Sequence, residues 1–173
     1  CCVYLPNGVS FVEASLGLAH AGVVGSPINP SYKDREVTYQ LKHSDASALI
    51  SSPENLAYAE KAVTNVEQDV TLIVTDPTKT PLSLEELCSR GNPLHVDTTD
   101  DTVAFQPYTS GTTSEPKGVL LTHRNFQVQI AQGIRRILAR EQLGDALILL
   151  PQYHITGALS DSNCTLCWAE SPH

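Results

Sequence analysis

Ala48-Leu49-Ile50 and Val70-Thr71-Leu72-Ile73-Val74 are two short apolar runs, and Ser52-Pro53-Glu54 opens a helical stretch between them. Each run is strand-length, and the second is rich in β-branched residues. Pro53 stands at the first helical position, where a missing N–H costs nothing. A strand, a helix and a second strand in that order read as a parallel pair joined by a crossover. Continuous apolarity, in place of alternation, means both faces of the sheet are covered.

The same rhythm extends both ways. Toward the N-terminus, Val3 to Leu5 reads as a strand end and Asn7-Gly8 as a turn. Ser10 is placed to cap a helix, with Glu13 completing a capping box. Phe11, Val12, Ser15, Leu16, Leu18 and Ala19 form its stripe, which ends near Gly22. Val23-Val24 follows as a short strand, broken by Gly25, Pro27 and Pro30. Lys33 to Ser44 is a second helix, with Val37 and Leu41 on one face. Toward the C-terminus, Leu82 to Cys88 is a short helix capped by Ser83, and Arg90 to Asp101 a polar loop. Thr102 to Tyr108 is a strand, Arg124 to Arg140 a helix carrying Phe126, Ile130, Ile134 and Ile137, and Asp145 to Leu150 a strand ended by Pro151. The expectation is an α/β fold, a mostly parallel sheet with covering helices.

The 173 residues carry 11 Lys plus Arg against 19 Asp plus Glu, a formal charge of −8. That balance argues against a nucleic-acid partner, which needs a basic face. No apolar run approaches the roughly 18 residues of a membrane span. The chain contains no Met and opens Cys1-Cys2-Val3-Tyr4, as if inside a strand, which leads us to expect a piece of a longer protein. The five cysteines, Cys1, Cys2, Cys88, Cys164 and Cys167, do not form the even set of a secreted disulfide framework. Cys164 and Cys167 make a lone C-x-x-C pair without the second pair that zinc wants, and read as ordinary thiols. No metal-ligand set is assigned.

Between the strand at Thr102–Tyr108 and the next helix runs Tyr108-Thr109-Ser110-Gly111-Thr112-Thr113-Ser114-Glu115-Pro116-Lys117-Gly118. Hydroxyls and free backbone N–H groups donate to phosphate oxygens, glycine permits close approach, and lysine supplies a point charge. Composition alone does not separate this from an ordinary Ser/Thr/Gly surface loop. The order of residues excludes a Walker A loop, which ends Gly-Lys-Ser/Thr. Here the lysine lies between Pro116 and Gly118.

Thr-Ser-Gly-Thr-Thr-x-x-Pro-Lys-Gly, continued by Val119-Leu120-Leu121-Thr122-His123-Arg124-Asn125, resembles the phosphate-loop signature of the AMP-forming acid–CoA ligases. That adenylate-forming superfamily includes acyl-CoA synthetases, 4-coumarate–CoA ligases and luciferases. Asn7-Gly8-x-x-Phe11, Ala19-x-Ala21-Gly22 and Val24 to Pro30 are similar to its early elements, and Leu150-Pro151-Gln152-Tyr153-His154 to its later Leu-Pro-x-x-His motif. The resemblance spans residues 3 to 157 and is closest to the 4-coumarate–CoA ligase and luciferase groups. It implies an incomplete N-terminal AMP-binding domain over 1–157, with a divergent tail over 158–173. It implies ATP, Mg²⁺ and coenzyme A, a carboxylic acid as small-molecule substrate, and an intracellular setting, cytoplasmic or peroxisomal.

By that resemblance Thr109, Ser110, Gly111, Thr112 and Thr113 cradle the β- and γ-phosphates and Lys117 is the loop lysine. His154 would orient the carboxylate, and Tyr153 would line the acyl pocket. The plainer alternatives are a satisfied histidine at a strand end and a core aromatic. His20, His43, His95 and His123 show no partner spacing and read as structural or exposed.

The sequence also departs from the pattern. Ser114 stands where members of the family it resembles usually have glycine, and a positive φ there would cost about 1–2 kcal/mol. The later Tyr-Gly-x-Thr-Glu and Thr-Gly-Asp motifs and the small C-terminal domain are absent, and Ser160-Asp161-Ser162-Asn163-Cys164 is polar where a buried helix is expected. An alternative exon or a shifted frame would explain such a tail. Two readings follow: a truncated acid–thiol ligase inactive alone and prone to aggregate, or a non-enzymatic isoform that holds nucleotide or a partner subunit.

Overall fold

The computed structural model describes residues 1–76, 82–91, 96–109, 115–138, 150–155 and 157. Four strands, β1 (Cys2–Tyr4), β2 (Ser26–Pro27), β3 (Ala48–Ser51) and β4 (Thr71–Val74), form one sheet in the order β2-β1-β3-β4, and every pairing is parallel. The crossovers are α1 (Val9–His20), α2 (Asp34–His43) and α3 (Leu56–Thr64), the last entered through a 3₁₀ turn at Pro53–Asn55. Pro53 occupies the start of that turn, as its fixed φ allows.

Side chains along the strands point alternately to the two faces. Cys2, Tyr4 and Leu49 pack with Val37 and Leu41 of α2 and Ala59 and Ala62 of α3. Val3, Leu5 and Ile50 pack with Phe11 and Ala14 of α1. Each fully buried aliphatic side chain contributes roughly 1.5–3 kcal/mol by leaving water. The uninterrupted apolarity of β1 and β3 therefore has its cause in two covered faces.

Three expectations need correction. Val23-Val24 is not a strand: the chain is still unwinding from α1, with Val23 N–H donating to the Leu18 carbonyl at 2.8 Å and Gly22 at φ 67°. A left-handed glycine at that place is how helices stop, so pairing begins only at Gly25 and Ser26. Ser10 is not a cap: α1 starts at Val9 after Gly8, without a side-chain cap, because Asn7 and Gly8 are engaged with Leu150 and Gln152. Ser83, by contrast, does cap α4 (Leu84–Arg90), its Oγ accepting from Glu86 N–H at 3.1 Å.

The third correction concerns Thr102–Tyr108. This segment is split into β5 (Val103–Phe105) and β6 (Tyr108–Thr109), each paired antiparallel: β5 with β8 (Leu121–Thr122), and β6 with β7 (Lys117–Gly118). Among the described residues, a single parallel bridge, Gly25 to Phe105, ties β5 toward the main sheet. α5 (His123–Leu138) follows β8 directly, and Phe126 packs edge-on against Phe105 with ring centroids 5.6 Å apart. The strand expected over Asp145–Leu150 lies outside the described residues except for Leu150, and the tail at 158–173 lies wholly outside them. Among the described residues no helix is long and apolar enough to cross a membrane.

Candidate functional site

The hydroxyl-rich run is flanked by β6 and β7. Their register pairs Tyr108 with Gly118 and Thr109 with Lys117. Directly paired residues of an antiparallel ladder project to the same face with Cβ atoms about 5 Å apart. Thr109 and Lys117 are both exposed, so one face carries a hydroxyl beside an ammonium, a pair of donors suited to an anion. Ser110, Gly111, Thr112 and Thr113, together with Ser114, lie outside the described residues.

The hairpin is seated on polar packing. Gln106 accepts from Ser26 Oγ through its carbonyl at 2.9 Å and donates its N–H to Gly25 at 2.8 Å. Its side chain fills the space over Gly118, where a Cβ would stand 2.6 Å from Gln106 Nε2. From the other side α2 presents Tyr39 and His43. Tyr39 OH donates to the Pro116 carbonyl at 2.9 Å, and His43 Nδ1 shares a hydrogen bond with Tyr108 OH at 2.7 Å. The His43 ring stacks on Tyr39 and meets Tyr108 edge-on. Burial, then the neighbouring Cys2 and Tyr39, push the Tyr108 phenol up to about 12. A cavity of about 430 Å³ opens between α2 and the hairpin, lined by Tyr32, Arg35, Tyr39 and Glu115 among others.

His154 and Tyr153 sit on a separate turn. His154 is exposed, and its backbone N–H donates to the Pro151 carbonyl at 3.0 Å. Tyr153 is half-buried against the Val3, Leu5 and Phe11 cluster. The turn is tied to the start of α1 by a reciprocal set of bonds. Gln152 N–H donates to Asn7 Oδ1 at 2.8 Å, Gly8 N–H to Gln152 Oε1 at 2.8 Å, and Asn7 Nδ2 to the Leu150 carbonyl at 3.0 Å. Asn7 and Gly8 also line a cavity of about 230 Å³ at the carboxyl ends of β1, β3 and β4. That is the edge where open parallel sheets receive ligands.

The structure thus brings Thr109 and Lys117 together and gives His154 a firmly anchored turn. Sequence reasoning missed Asn7, Gln152, Tyr39 and Gln106 as supports, and it read His43 without a partner, whereas the ring bonds Tyr108. His20 and His123 line a further cavity with Leu16 and Val96, and His95 lies outside the described residues. Cys1, Cys2 and Cys88 are free thiols, and burial raises the Cys2 pKa. Cys164 and Cys167 lie outside the described residues.

Comparison with known proteins shows what the chain is similar to. The family model described as AMP-binding enzyme matches residues 1–170. The chain is 38% identical over 160 residues to a sulfoacetate–CoA ligase of Cupriavidus necator, covering 90% of this chain and 30% of that protein. It is 35% identical over 162 residues to 4-coumarate–CoA ligase 3 of Arabidopsis thaliana, covering 88% and 28%. Apo MatB from Rhodopseudomonas palustris superposes with a TM-score of 0.75 at 23% identity, over 95% of this chain and 32% of that one, which supports the fold. The chain spans about 30% of the length of the curated relatives it matches.

Proposed function

The chain belongs to the AMP-binding enzyme family, and from this premise we propose that it supplies the triphosphate grip of an ATP-dependent carboxylic acid–CoA ligase. In that reaction a carboxylate oxygen attacks the α-phosphorus of ATP, the bond to the bridging oxygen breaks, and pyrophosphate leaves. The thiolate sulfur of coenzyme A then attacks the acyl carbon of the acyl-adenylate, and AMP leaves. The first step brings an anion toward a polyanion, so preorganised donors and cations must meet the charge on the phosphates.

The observation that carries this reading is the Thr109–Lys117 pairing across β6 and β7, with both side chains exposed. Lys117 would place its ammonium on the β- and γ-phosphate oxygens, and Thr109 its hydroxyl beside it. Ser110, Gly111, Thr112 and Thr113 would complete the cradle. Mg²⁺ on the ATP phosphates would share in neutralising their charge. His154 would hydrogen-bond the incoming carboxylate. Tyr153 would line the acyl pocket with the part of its ring that the α1 cluster leaves open.

With about 30% of the length of its relatives, the chain is proposed to bind ATP without completing adenylation. Calorimetric titration with MgATP and MgAMP, beside acid-dependent ATP–pyrophosphate exchange, tests this. The expected result is binding of ATP, binding of AMP weaker by about tenfold or more for want of the β- and γ-phosphates, and no exchange. AMP binding as tight as ATP, or no ATP binding, would overturn the triphosphate grip. Exchange by the chain alone would overturn its incompleteness.

A further inference from the structure

We propose that Tyr39 and His43 of α2 are positioning residues that hold both legs of the β6–β7 hairpin and so set Thr109 and Lys117 for an anion. The proposal rests on the triphosphate reading above. A ladder of two residue pairs is marginal by itself in water. Something outside it must supply the order, and α2 is built to do so. Its inner face is fixed in the core: Val37 and Leu41 are fully buried, and Gln40 Nε2 donates to Ser26 Oγ at 3.0 Å and the Pro27 carbonyl at 2.8 Å.

Tyr39 and His43 lie four residues apart, hence one turn apart on a shared face. Tyr39 OH bonds the carbonyl of Pro116, the residue immediately before Lys117. His43 Nδ1 bonds the hydroxyl of Tyr108, the residue immediately before Thr109. Each grip therefore falls one position ahead of an anion-facing residue, on opposite legs of the hairpin. The two grips reinforce each other, because the His43 and Tyr39 rings stack at 5.6 Å and 27°. A hairpin already ordered in the free protein has less conformational freedom to lose when a polyphosphate binds.

The test titrates wild type, Tyr39→Phe, His43→Leu, His43→Asn and the Tyr39→Phe/His43→Leu double variant with magnesium tripolyphosphate. Amide hydrogen exchange at Val119, whose N–H donates to the Pro107 carbonyl beside the hairpin, is followed with thermal unfolding. Tyr39→Phe and His43→Leu are each expected to weaken tripolyphosphate binding by about three- to tenfold, the worth of one hydrogen bond. Val119 should exchange faster while the melting temperature holds. His43→Asn, whose amide nitrogen falls near the place of Nδ1, should restore binding to within about twofold.

Unchanged affinity in the double variant, in a protein whose binding is lost with Lys117→Ala, would overturn the positioning role and leave the triphosphate reading intact. Affinity that falls only in step with the melting temperature would overturn it equally. Failure of the wild type to bind tripolyphosphate would overturn the triphosphate reading itself, and Val119 exchange would then separately show whether α2 orders the hairpin.

Discussion

On the proposed reading, Lys117 and Thr109 would meet the same ligand with unequal means. A charge-assisted hydrogen bond is worth about twice a neutral one. Lys117→Ala is therefore expected to weaken MgATP binding about tenfold or more, and Thr109→Val about threefold, both read by calorimetry. Equal losses would mean that the ammonium is not on the phosphates. These two residues were legible in the sequence because the order of the whole run, Thr109 through Gly118, is local and specific. Their supports were not legible. Tyr39 meets Pro116 across 77 positions and His43 meets Tyr108 across 65, and no local pattern announces a hydrogen bond between residues so far apart. Gln106 escaped for the same reason: its work is to fill the space that Gly118 leaves.

At the scale of elements, β1, β3, β4, α2 and α3 were readable because periodicity, Pro53 and the Val37–Leu41 spacing all agree. The misreadings arose where tertiary bonds displaced a local preference. Ser10 has the chemistry of a cap, but Asn7 and Gly8 are recruited by the Leu150–Gln152 turn, and the helix starts two residues earlier, with Gly8 at the cap position. Thr102–Tyr108 is apolar enough for a parallel strand, yet β7 and β8 return beside it and pair antiparallel. The tie between α1 and the His154 turn carries its own prediction. Asn7→Ala removes the acceptor of Gln152 N–H and the donor to the Leu150 carbonyl. It should cost about 1–2 kcal/mol in denaturant unfolding and speed amide exchange at Gln152 and His154. Unaltered exchange there would show that the Asn7 bonds do not hold the turn.

For the molecule as a whole, two covered sheet faces explain why so short a set of strands is continuously apolar, and they bury the Tyr4 phenol as well as aliphatics, while Tyr108 is half-buried in the β6–β7 pair. Tyr4 and Tyr108 are both pushed up to about 12 from 10, chiefly by burial, and Tyr4 OH donates to the Tyr32 carbonyl. The unfolded chain releases these protons first, so their contribution to stability is complete below pH 10 and is lost as pH rises toward 12. Unfolding free energy should fall across that window, and Tyr4→Phe should flatten the fall. A profile unaffected by that substitution would refute the assignment to Tyr4.

The central claim, that the β6–β7 hairpin grasps a triphosphate, is tested most directly by amide chemical-shift mapping during titration with magnesium tripolyphosphate. The account predicts saturable shifts centred on Thr109, Lys117 and Gly118, abolished in Lys117→Ala. Saturable shifts confined to another part of the molecule, such as the cavity lined by His20 and His123, or no shifts at all, would contradict it.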